Sequence, residues 1–318
     1  MTATVELSQR EAWLVAVRPQ TLPAGAAPVL VGIGLAGADG VFEFWPAFAA
    51  LVGALLIQVG TNFANDYYDA VKGADTEDRE GFTRVTAGGL IEPRRVRQAM
   101  IATYALALVV GVSLVYVGGL PIVIVGLSSI LAGLLYTGGP YPYGYYGLGD
   151  LFVFVYFGLV AVAGTYYVQA VVALDVGVFP LWIPDGTVTA GAVLGGVAAG
   201  ALATAILVVN NIRDRETDQQ AGKRTLAVLV GYRYSRIEFL GLLVSAYAVP
   251  VVLWLGFGYT PLVLLTLLSL PLAVRVSRVV CTRTDGDTLN PALKRTGQLL
   301  ALYAVLLTAG LVAGGVVT

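Results

Sequence analysis

The chain alternates between long uncharged stretches and short segments that are rich in charged residues. A bilayer's hydrocarbon core is about 30 Å thick, so roughly 20 apolar helical residues span it. A charge at the bilayer centre costs at least about 2.5 kcal/mol, which places spans between charged positions. Seven stretches of at least about 20 residues lack Asp, Glu, Lys and Arg: 19–38, 44–65, 98–149, 151–174, 186–212, 239–274 and 296–318. Each stretch predicts at least one membrane-spanning helix.

Two of these stretches are too long for a single span. The stretch 98–149 is interrupted by Gly118-Gly119-Leu120-Pro121, and 239–274 by Gly256-Phe257-Gly258-Tyr259-Thr260-Pro261, both typical turn signals. Each therefore predicts two helices, and the second helix of the later pair can continue to about Val280. The sequence predicts an all-α membrane protein with nine transmembrane helices.

Composition excludes several classes of protein. Hydrophobic residues make up 57% of the chain and charged residues 12%, whereas soluble domains carry about 25% charged residues. A water-soluble enzyme is therefore excluded. One cysteine and no histidine also exclude a disulfide framework, a Cys/His zinc site and a histidine base. Catalysis must use carboxylates, amides, hydroxyls, Lys or Arg.

The nineteen basic residues predict the orientation. Lys and Arg in short loops collect on the cytoplasmic side, and all nineteen fit one side of the nine-helix arrangement. The alternate loops carry only Asp39, Glu43, Asp175 and Asp185. We expect a multi-pass protein of the cell membrane with a cytoplasmic N-terminus and an external C-terminus. No Ala-x-Ala cleavage site follows the first apolar stretch, so we expect the first helix to be retained.

Two acidic clusters follow spans two and six. If span two continues as a helix, Asn62, Asp66 and Asp69 lie on one face. Asp66 and Asp214 lie 148 residues apart, which predicts two four-helix repeats, about 12–137 and 147–280, with a ninth helix at about 292–316. The clusters contain these carboxylates and amides: Asn62, Asn65, Asp66 and Asp69 in the first, and Asn210, Asn211, Asp214 and Asp218 in the second.

These clusters indicate a cation site at the cytoplasmic interface. Facing carboxylates repel unless cations neutralise them, and hard oxygen donors suit Mg²⁺, which commonly binds together with substrate phosphates. Basic residues such as Lys72, Arg84 and Lys223 interleave with the acids and are suited to holding a diphosphate. A lipid-tailed diphosphate is then the expected substrate. Two alternatives remain: the polar residues simply terminate helices, or the repeats form a transporter.

Five motifs resemble the UbiA-type intramembrane prenyltransferase family. Within it, the last three resemble the branch that acts on 1,4-dihydroxy-2-naphthoate. The general pattern of the family has a third aspartate at the position where this chain has Gly73. This chain instead has Asp75 two residues later, and the role of Asp75 is left open. The motifs are Asn65-Asp66-x-x-Asp69, Asp214-x-x-x-Asp218, Arg18-Pro-Gln-Thr-Leu-Pro23, Tyr136-Thr-Gly-Gly-Pro-Tyr-Pro142 and Gly222-Lys-Arg-Thr-Leu-Ala227.

The resemblance implies nine helices around a lateral cavity and Mg²⁺-dependent transfer of a polyprenyl group to a small aromatic acceptor, with loss of CO2 and diphosphate. It implies that the four aspartates bind Mg²⁺, assisted by the four asparagines. Diphosphate would contact Lys72, Arg84 and Lys223. The acceptor or the allylic cation would contact the following residues: Arg18, Tyr67, Tyr68, Tyr136, Tyr141 and Asp150.

Several of these roles have plain structural alternatives. Arg18 also suits an interfacial anchor that reaches the lipid headgroups. Tyr143, Tyr145 and Tyr146 suit either the acceptor's entrance or an aromatic belt at the membrane surface. A carboxylate such as Asp150 is stabilised at any helix N-terminus. A related enzyme with 4-hydroxybenzoate, homogentisate or a glyceryl phosphate lipid as acceptor is the main functional alternative.

Overall fold

The computed structural model describes residues 8–73 and 85–314, and these ranges fold into helices without a β-strand. This confirms the predicted all-α membrane fold. The helices are α1 (Gln9–Val17), α2 (Leu22–Ala38), α3 (Phe44–Val71), α4 (Pro93–Leu135), α5 (Gly149–Ala173), α6 (Ala190–Arg213), α7 (Arg215–Gln220), α8 (Leu226–Phe257), α9 (Pro261–Thr282) and α10 (Gly286–Gly314).

Eight helical segments of the described residues are long and apolar enough to cross a membrane, with α1 and α2 counted together. Helix α4 supplies two crossings, because 43 residues extend about 65 Å, roughly twice the thickness of the hydrocarbon core. Its helical geometry breaks at Gly119, where φ is 60° and ψ is −148°. The break lies within the turn signal that the sequence predicts.

The break in α4 is covered by the loop between α5 and α6. The N–H of Leu120 donates to the carbonyl of Pro180 at 2.9 Å, and the N–H of Phe179 donates to the carbonyl of Tyr116 at 3.0 Å. A Cβ atom at Gly119 would lie 2.0 Å from the Pro180 oxygen. Both the positive φ and this close approach therefore require glycine.

We expect Gly119→Ala to destabilise the protein, because alanine would be strained at this backbone conformation and would displace the covering loop. Backbone strain of this kind costs about 1–3 kcal/mol, and the steric clash adds to it. A lower midpoint of thermal unfolding in detergent would show the effect. Gly126→Ala in the same helix is the matched control, since its added Cβ meets nothing within 4 Å. Equal midpoints for the two variants would contradict the prediction.

Several helices extend beyond the uncharged stretches that predict them. Helix α3 continues to Val71 through both aspartates of the first cluster. Helix α8 begins at Leu226, breaks at Gly231, where φ is 76°, and runs through 232–238 before it reaches the uncharged stretch 239–274. A helix can carry charged residues where it leaves the hydrocarbon core, because water and headgroups solvate them there. Charge spacing therefore predicts the membrane-embedded portion of each helix and not its full length.

Helix α6 packs closely against α5 because small residues form their contact. A Cβ at Gly158 would lie 2.5 Å from the Gly200 Cα atom, and one at Gly196 would lie 2.9 Å from the Leu159 Cα atom. This part of α5, Phe154–Val160, winds as a π-helix. Small residues allow membrane helices to approach at backbone distance. The contact fixes α6, which carries the second acidic cluster at its end.

The two acidic clusters lie at the ends of α3 and α6, but their local structures differ. Helix α3 is continuous through Asn62, Asp66 and Asp69, as the spacing predicts. Helix α6 ends at Arg213, and Asp214 joins it to the short α7, which carries Asp218. The two aspartates of the second cluster therefore belong to different helices. The relation of the two halves as repeats stays a prediction.

Candidate active site

A cavity of about 680 Å³ extends between the helices, and the acidic clusters meet at one end of it. Most of its wall is apolar and is formed by α2 to α6. The cavity brings together ten of the residues that the sequence predicts for the site: Arg18, Asn62, Asn65, Asp69, Tyr136, Asn210, Asn211, Asp214, Asp218 and Lys223. The arrangement is a polar recess that opens into an apolar chamber.

Asp66 is buried and, unlike the other three predicted aspartates, does not line the cavity; groups from two other segments hold it. An Arg18 guanidinium nitrogen lies 3.7 Å from one carboxylate oxygen. The N–H of Thr86 donates to the other oxygen at 3.1 Å, and the Thr86 hydroxyl donates to the same atom. Arg18 reaches this position from the junction between α1 and α2, where its φ is 54°, a value uncommon outside glycine.

Asn62 is fixed by the same junction. Its amide nitrogen donates to the carbonyl of Val17 at 2.9 Å and to the hydroxyl of Thr21 at 2.8 Å. Gln58, one helical turn earlier in α3, donates to the same hydroxyl at 3.1 Å. The junction thus orders the polar side chains along one face of α3.

Tyr145 connects the two acidic clusters. Its hydroxyl donates to Asp69, while the Lys223 ammonium lies 4.7 Å from the centre of its ring. Its carbonyl accepts the N–H of Arg224 at 2.7 Å, and the Lys72 ammonium lies 5.6 Å from its ring centre. One residue between spans four and five therefore contacts groups from both halves of the chain.

Asp214 is clamped by its neighbour Arg213, whose side chain is only 1% exposed. Two guanidinium nitrogens donate to the two carboxylate oxygens at 2.7 and 2.8 Å. Arg213 also donates to the side-chain oxygens of Asn210 and of Asn290, which lies on α10, both at 2.8 Å. Bidentate pairs of this kind have well-defined geometry. The clamp therefore sets the direction of the carboxylate.

Two lysines lie near the clusters in different settings. The Lys223 ammonium is 3.8 Å from an Asp218 oxygen and lines the cavity. Lys72 instead donates to the backbone carbonyls of Thr137 and Gly139 at 2.6 and 2.9 Å and does not line the cavity. Partial burial lowers the pKa of the Lys72 ammonium, and the nearby charge of Asp69 opposes that shift.

A row of aromatic rings leads from the acidic end into the apolar chamber. Ring centroids are 5.4 Å apart for Tyr136 and Tyr143, 4.1 Å for Tyr143 and Phe152, and 6.1 Å for Phe152 and Tyr156. All four rings line the cavity. Burial, followed by the nearby negative charge of Asp150, raises the pKa of the Tyr136 hydroxyl, so it stays protonated. Aromatic rings beside a cavity can stabilise a cation that is bound there.

Other predicted residues lie away from the cavity wall. Tyr67 and Tyr68 pack against each other and against the apolar cluster beneath α1. Tyr141 is 77% exposed, which suits the alternative of a membrane-surface aromatic. Asp150 is buried at the start of α5 without lining the cavity. Asp75 and Arg84 lie outside the described residues.

Sequence reasoning missed four residues that shape the site. Arg213 carried a signal, because it ends a long uncharged stretch next to an aspartate. Tyr145 belongs to the tyrosine run that the sequence analysis singles out, but its contact with Asp69 was not predicted. Thr86 and Asn290 carried no signal, since Thr86 acts from an irregular segment and Asn290 acts across 77 residues. Their roles depend on how the helices pack, which composition and spacing do not specify.

The carboxylate and amide oxygens of the two clusters suit a divalent cation whose remaining coordination positions are filled by a bound ligand. No three acidic side chains within residues 8–73 and 85–314 converge into a complete metal cage. Two pairs of aspartates with neighbouring amide oxygens are present instead. Mg²⁺ commonly takes one or two carboxylates and completes its shell with water and phosphate oxygens. The residues therefore fit such a cation together with a phosphorylated substrate.

Comparisons with known proteins agree with this architecture. The chain is 38% identical to 1,4-dihydroxy-2-naphthoate octaprenyltransferase of Mycobacterium leprae (strain TN), covering 96% of this chain and 98% of the relative. It is 36% identical to the Escherichia coli (strain K12) protein of the same name, covering 96% of each. A solved UbiA homolog from Archaeoglobus fulgidus, bound to DMAPP and Mg²⁺, superposes with a TM-score of 0.58 at 15% identity, covering 93% and 98% of the two chains.

The family resemblance seen in the motifs is confirmed by a match along most of the chain. The sequence pattern of the UbiA prenyltransferase family matches residues 26–303. This range contains both acidic clusters, Tyr145 and the Arg213 clamp. Together with the two full-length relatives, this match shows that the chain belongs to the UbiA prenyltransferase family.

Proposed function

We propose that the protein transfers a polyprenyl group from its diphosphate to 1,4-dihydroxy-2-naphthoate, releasing diphosphate and CO2 and giving demethylmenaquinol, a step of menaquinone biosynthesis. The observation that carries prenyl transfer is the meeting of two aspartate clusters at the polar end of an apolar cavity. The acceptor is supported by full-length similarity to enzymes named for this naphthoate.

Asp66, Asp69, Asp214 and Asp218 would hold Mg²⁺, which supplies positive charge to the diphosphate when bound. The Mg²⁺-bound homolog from Archaeoglobus fulgidus supports this requirement. The asparagines beside each pair add amide oxygens or orient the carboxylates. Lys223 lies at the same end of the cavity and neutralises the departing diphosphate.

The apolar chamber then shields the allylic cation from water while the aromatic row from Tyr136 to Tyr156 stabilises it. The bond between prenyl C1 and the diphosphate oxygen breaks, and its electron pair leaves with diphosphate. A pair of ring electrons from the acceptor forms the new bond to C1 at the carbon that bears the carboxylate. CO2 leaves, and the electrons of its bond restore the aromatic ring. No strong protein base is required.

The same geometry supports a membrane orientation. Both acidic clusters and the basic residues around them lie at one end of the helices, and the positive-inside tendency assigns that end to the cytoplasm. We infer a cytoplasmic N-terminus and an external C-terminus. Diphosphate would then be released into the cytoplasm, and the lipid-soluble product into the bilayer.

The test uses purified protein in detergent with a prenyl diphosphate, Mg²⁺ and naphthoate labelled with ¹³C in its carboxyl group. We expect one diphosphate and one labelled CO2 for each prenylated product, and a product mass without the carboxyl group. Removal of Mg²⁺ with a chelator should stop turnover, and its replacement should restore it.

A parallel panel contains 4-hydroxybenzoate, homogentisate and a glyceryl phosphate lipid. Turnover with one of these and none with the naphthoate would replace the acceptor but retain prenyl transfer. Ion or solute flux in liposomes without any turnover would favour the transporter and overturn the proposal.

A further inference from the structure

We propose that Lys294 and Gln58 form the subsite that selects and orients the aromatic acceptor, with Lys294 pairing with its carboxylate and Gln58 accepting a hydrogen bond from a ring hydroxyl. The two residues lie on α10 and α3, and both line the cavity near the α1–α2 junction. This inference rests on the proposed function, because it requires an acceptor that carries both groups.

Lys294 lies on the face of α10 that is turned toward the cavity. Asn290, Lys294 and Gly297 follow the spacing i, i+4 and i+7, so they share one helix face. Asn290 contacts the Arg213 clamp at 2.8 Å, while Leu293, Lys294 and Gly297 line the cavity. A rise of 1.5 Å per residue puts Lys294 about 6 Å farther along the helix than Asn290. Its Cα atom therefore lies farther along α10 than the Arg213 clamp, and its side chain tilts back toward the acidic end.

The other cations of the cavity wall already face carboxylates. In the described part of the chain, the basic residues that line the cavity are Arg18, Lys223 and Lys294. Arg18 lies 3.7 Å from Asp66 and Lys223 lies 3.8 Å from Asp218. No described carboxylate lies within ion-pair distance of Lys294. Its ammonium is thus available to an anionic ligand, whereas the structure places Arg18 with the first aspartate cluster.

Gln58 carries a buried oxygen without a partner, and the network around it fixes which amide atom this is. The Thr21 hydroxyl donates its single proton to the carbonyl of Arg18 at 2.9 Å. Its lone pairs must therefore accept from the amides of Gln58 and Asn62, at 3.1 and 2.8 Å. This leaves Gln58 Oε1 as the unbonded atom, and no donor among the described residues reaches it.

A buried carbonyl oxygen without a hydrogen bond is costly, and a ligand hydroxyl that donates to it removes that cost. Gln58 is 7% exposed and lines the cavity, and its unbonded Oε1 lies beneath the cavity wall, so the side chain must shift for a ligand hydroxyl to reach that atom. An aromatic ring with a hydroxyl directed at Gln58 and a carboxylate directed at Lys294 has two fixed points in its plane. Two such points define which ring carbon faces C1 of the prenyl group.

Three inhibitors separate the two contacts: 1-hydroxy-2-naphthoate, which has both groups, 1-naphthol, which lacks the carboxylate, and 2-naphthoate, which lacks the hydroxyl. 1-Hydroxy-2-naphthoate should inhibit the wild-type enzyme more strongly than the other two compounds. Lys294→Met should raise the inhibition constants of the two carboxylate compounds about tenfold to a hundredfold, the loss expected for a charge-assisted contact. The inhibition constant of 1-naphthol should not change. Lys294→Arg should restore most of the preference.

Gln58→Leu should instead raise the inhibition constants of the two compounds that carry a hydroxyl, and it should leave the inhibition constant of 2-naphthoate unchanged. The KM for the prenyl diphosphate should stay the same in all these variants. A general folding defect would lower the apparent kcat and would leave the ratios of the three inhibition constants unchanged. Arg295→Met is the matched control for Lys294, because Arg295 is the next residue of α10 and is exposed, as Lys294 is, but does not line the cavity. It should retain wild-type preferences.

Unchanged inhibitor preferences in Lys294→Met and Gln58→Leu, in an enzyme whose wild type prenylates the naphthoate, would overturn the subsite and leave the proposed function intact. In that case Lys294 is an interfacial anchor to lipid headgroups. Failure of the wild type to use the naphthoate would instead overturn the proposed function.

Discussion

Replacing Asp66 or Asp214 with alanine is expected to abolish prenyl transfer while the protein remains inserted in the membrane. Each aspartate belongs to one of the clusters that would hold Mg²⁺ against the diphosphate, and each loss removes a ligand and leaves positive charge unbalanced. We expect kcat to fall at least about a thousandfold, equivalent to about 4 kcal/mol of transition-state stabilisation. Diphosphate release by the purified variants measures this.

Two further variants separate catalysis from folding. Asp214→Asn keeps the shape of the side chain and one acceptor oxygen for the buried Arg213, so it should be more stable than Asp214→Ala and equally inactive. Asp287→Ala is the matched control, because Asp287 is exposed at the start of α10 and does not line the cavity. Wild-type activity in either Asp66→Ala or Asp214→Ala would refute the role of the clusters in metal binding.

Arg213→Met is expected to damage both stability and activity. The guanidinium is buried and forms a bidentate pair with Asp214, so its removal leaves a buried carboxylate without its main partner. Breaking one side of a buried pair typically costs about 3–5 kcal/mol. Thermal unfolding in detergent should begin at a lower temperature, and turnover should fall because the Asp214 carboxylate loses its fixed direction.

A double variant tests this explanation. Arg213→Met combined with Asp214→Asn removes the unpaired charge, so it should unfold at a higher temperature than Arg213→Met alone and remain inactive. Arg215→Met is the control, because Arg215 donates to a backbone carbonyl and stacks on Tyr232 without contacting an aspartate of the site. Equal unfolding temperatures for Arg213→Met and the wild type would contradict a stabilising clamp.

The sequence predicts the fold well because burial in lipid restricts where charges can lie. Uncharged stretches locate the spans, and Gly119 marks the division of α4. The aspartates are also predictable, since helical spacing alone puts Asp66 and Asp69 on one face of α3. These inferences use only local distances along the chain, so they need no knowledge of how helices pack.

Residues that act across the helix bundle could not be predicted in the same way. Tyr145 connects the two clusters only because its loop passes between α3 and the segment after α7. Lys294 has the same sequence character as Arg295, and only the packing of α10 decides that Lys294 lines the cavity. The contact between Arg18 and Asp66 depends on the left-handed conformation of Arg18, which its sequence context does not reveal.

The interruption of the second acidic helix makes the two walls of the site mechanically unequal. Asp66 and Asp69 share one uninterrupted helix and must shift together as a single stiff body. Asp214 and Asp218 are separated by a helix boundary. The geometry of the first cluster is therefore set by one helix, whereas that of the second depends on the angle between α6 and α7 and on the Arg213 pair that holds Asp214.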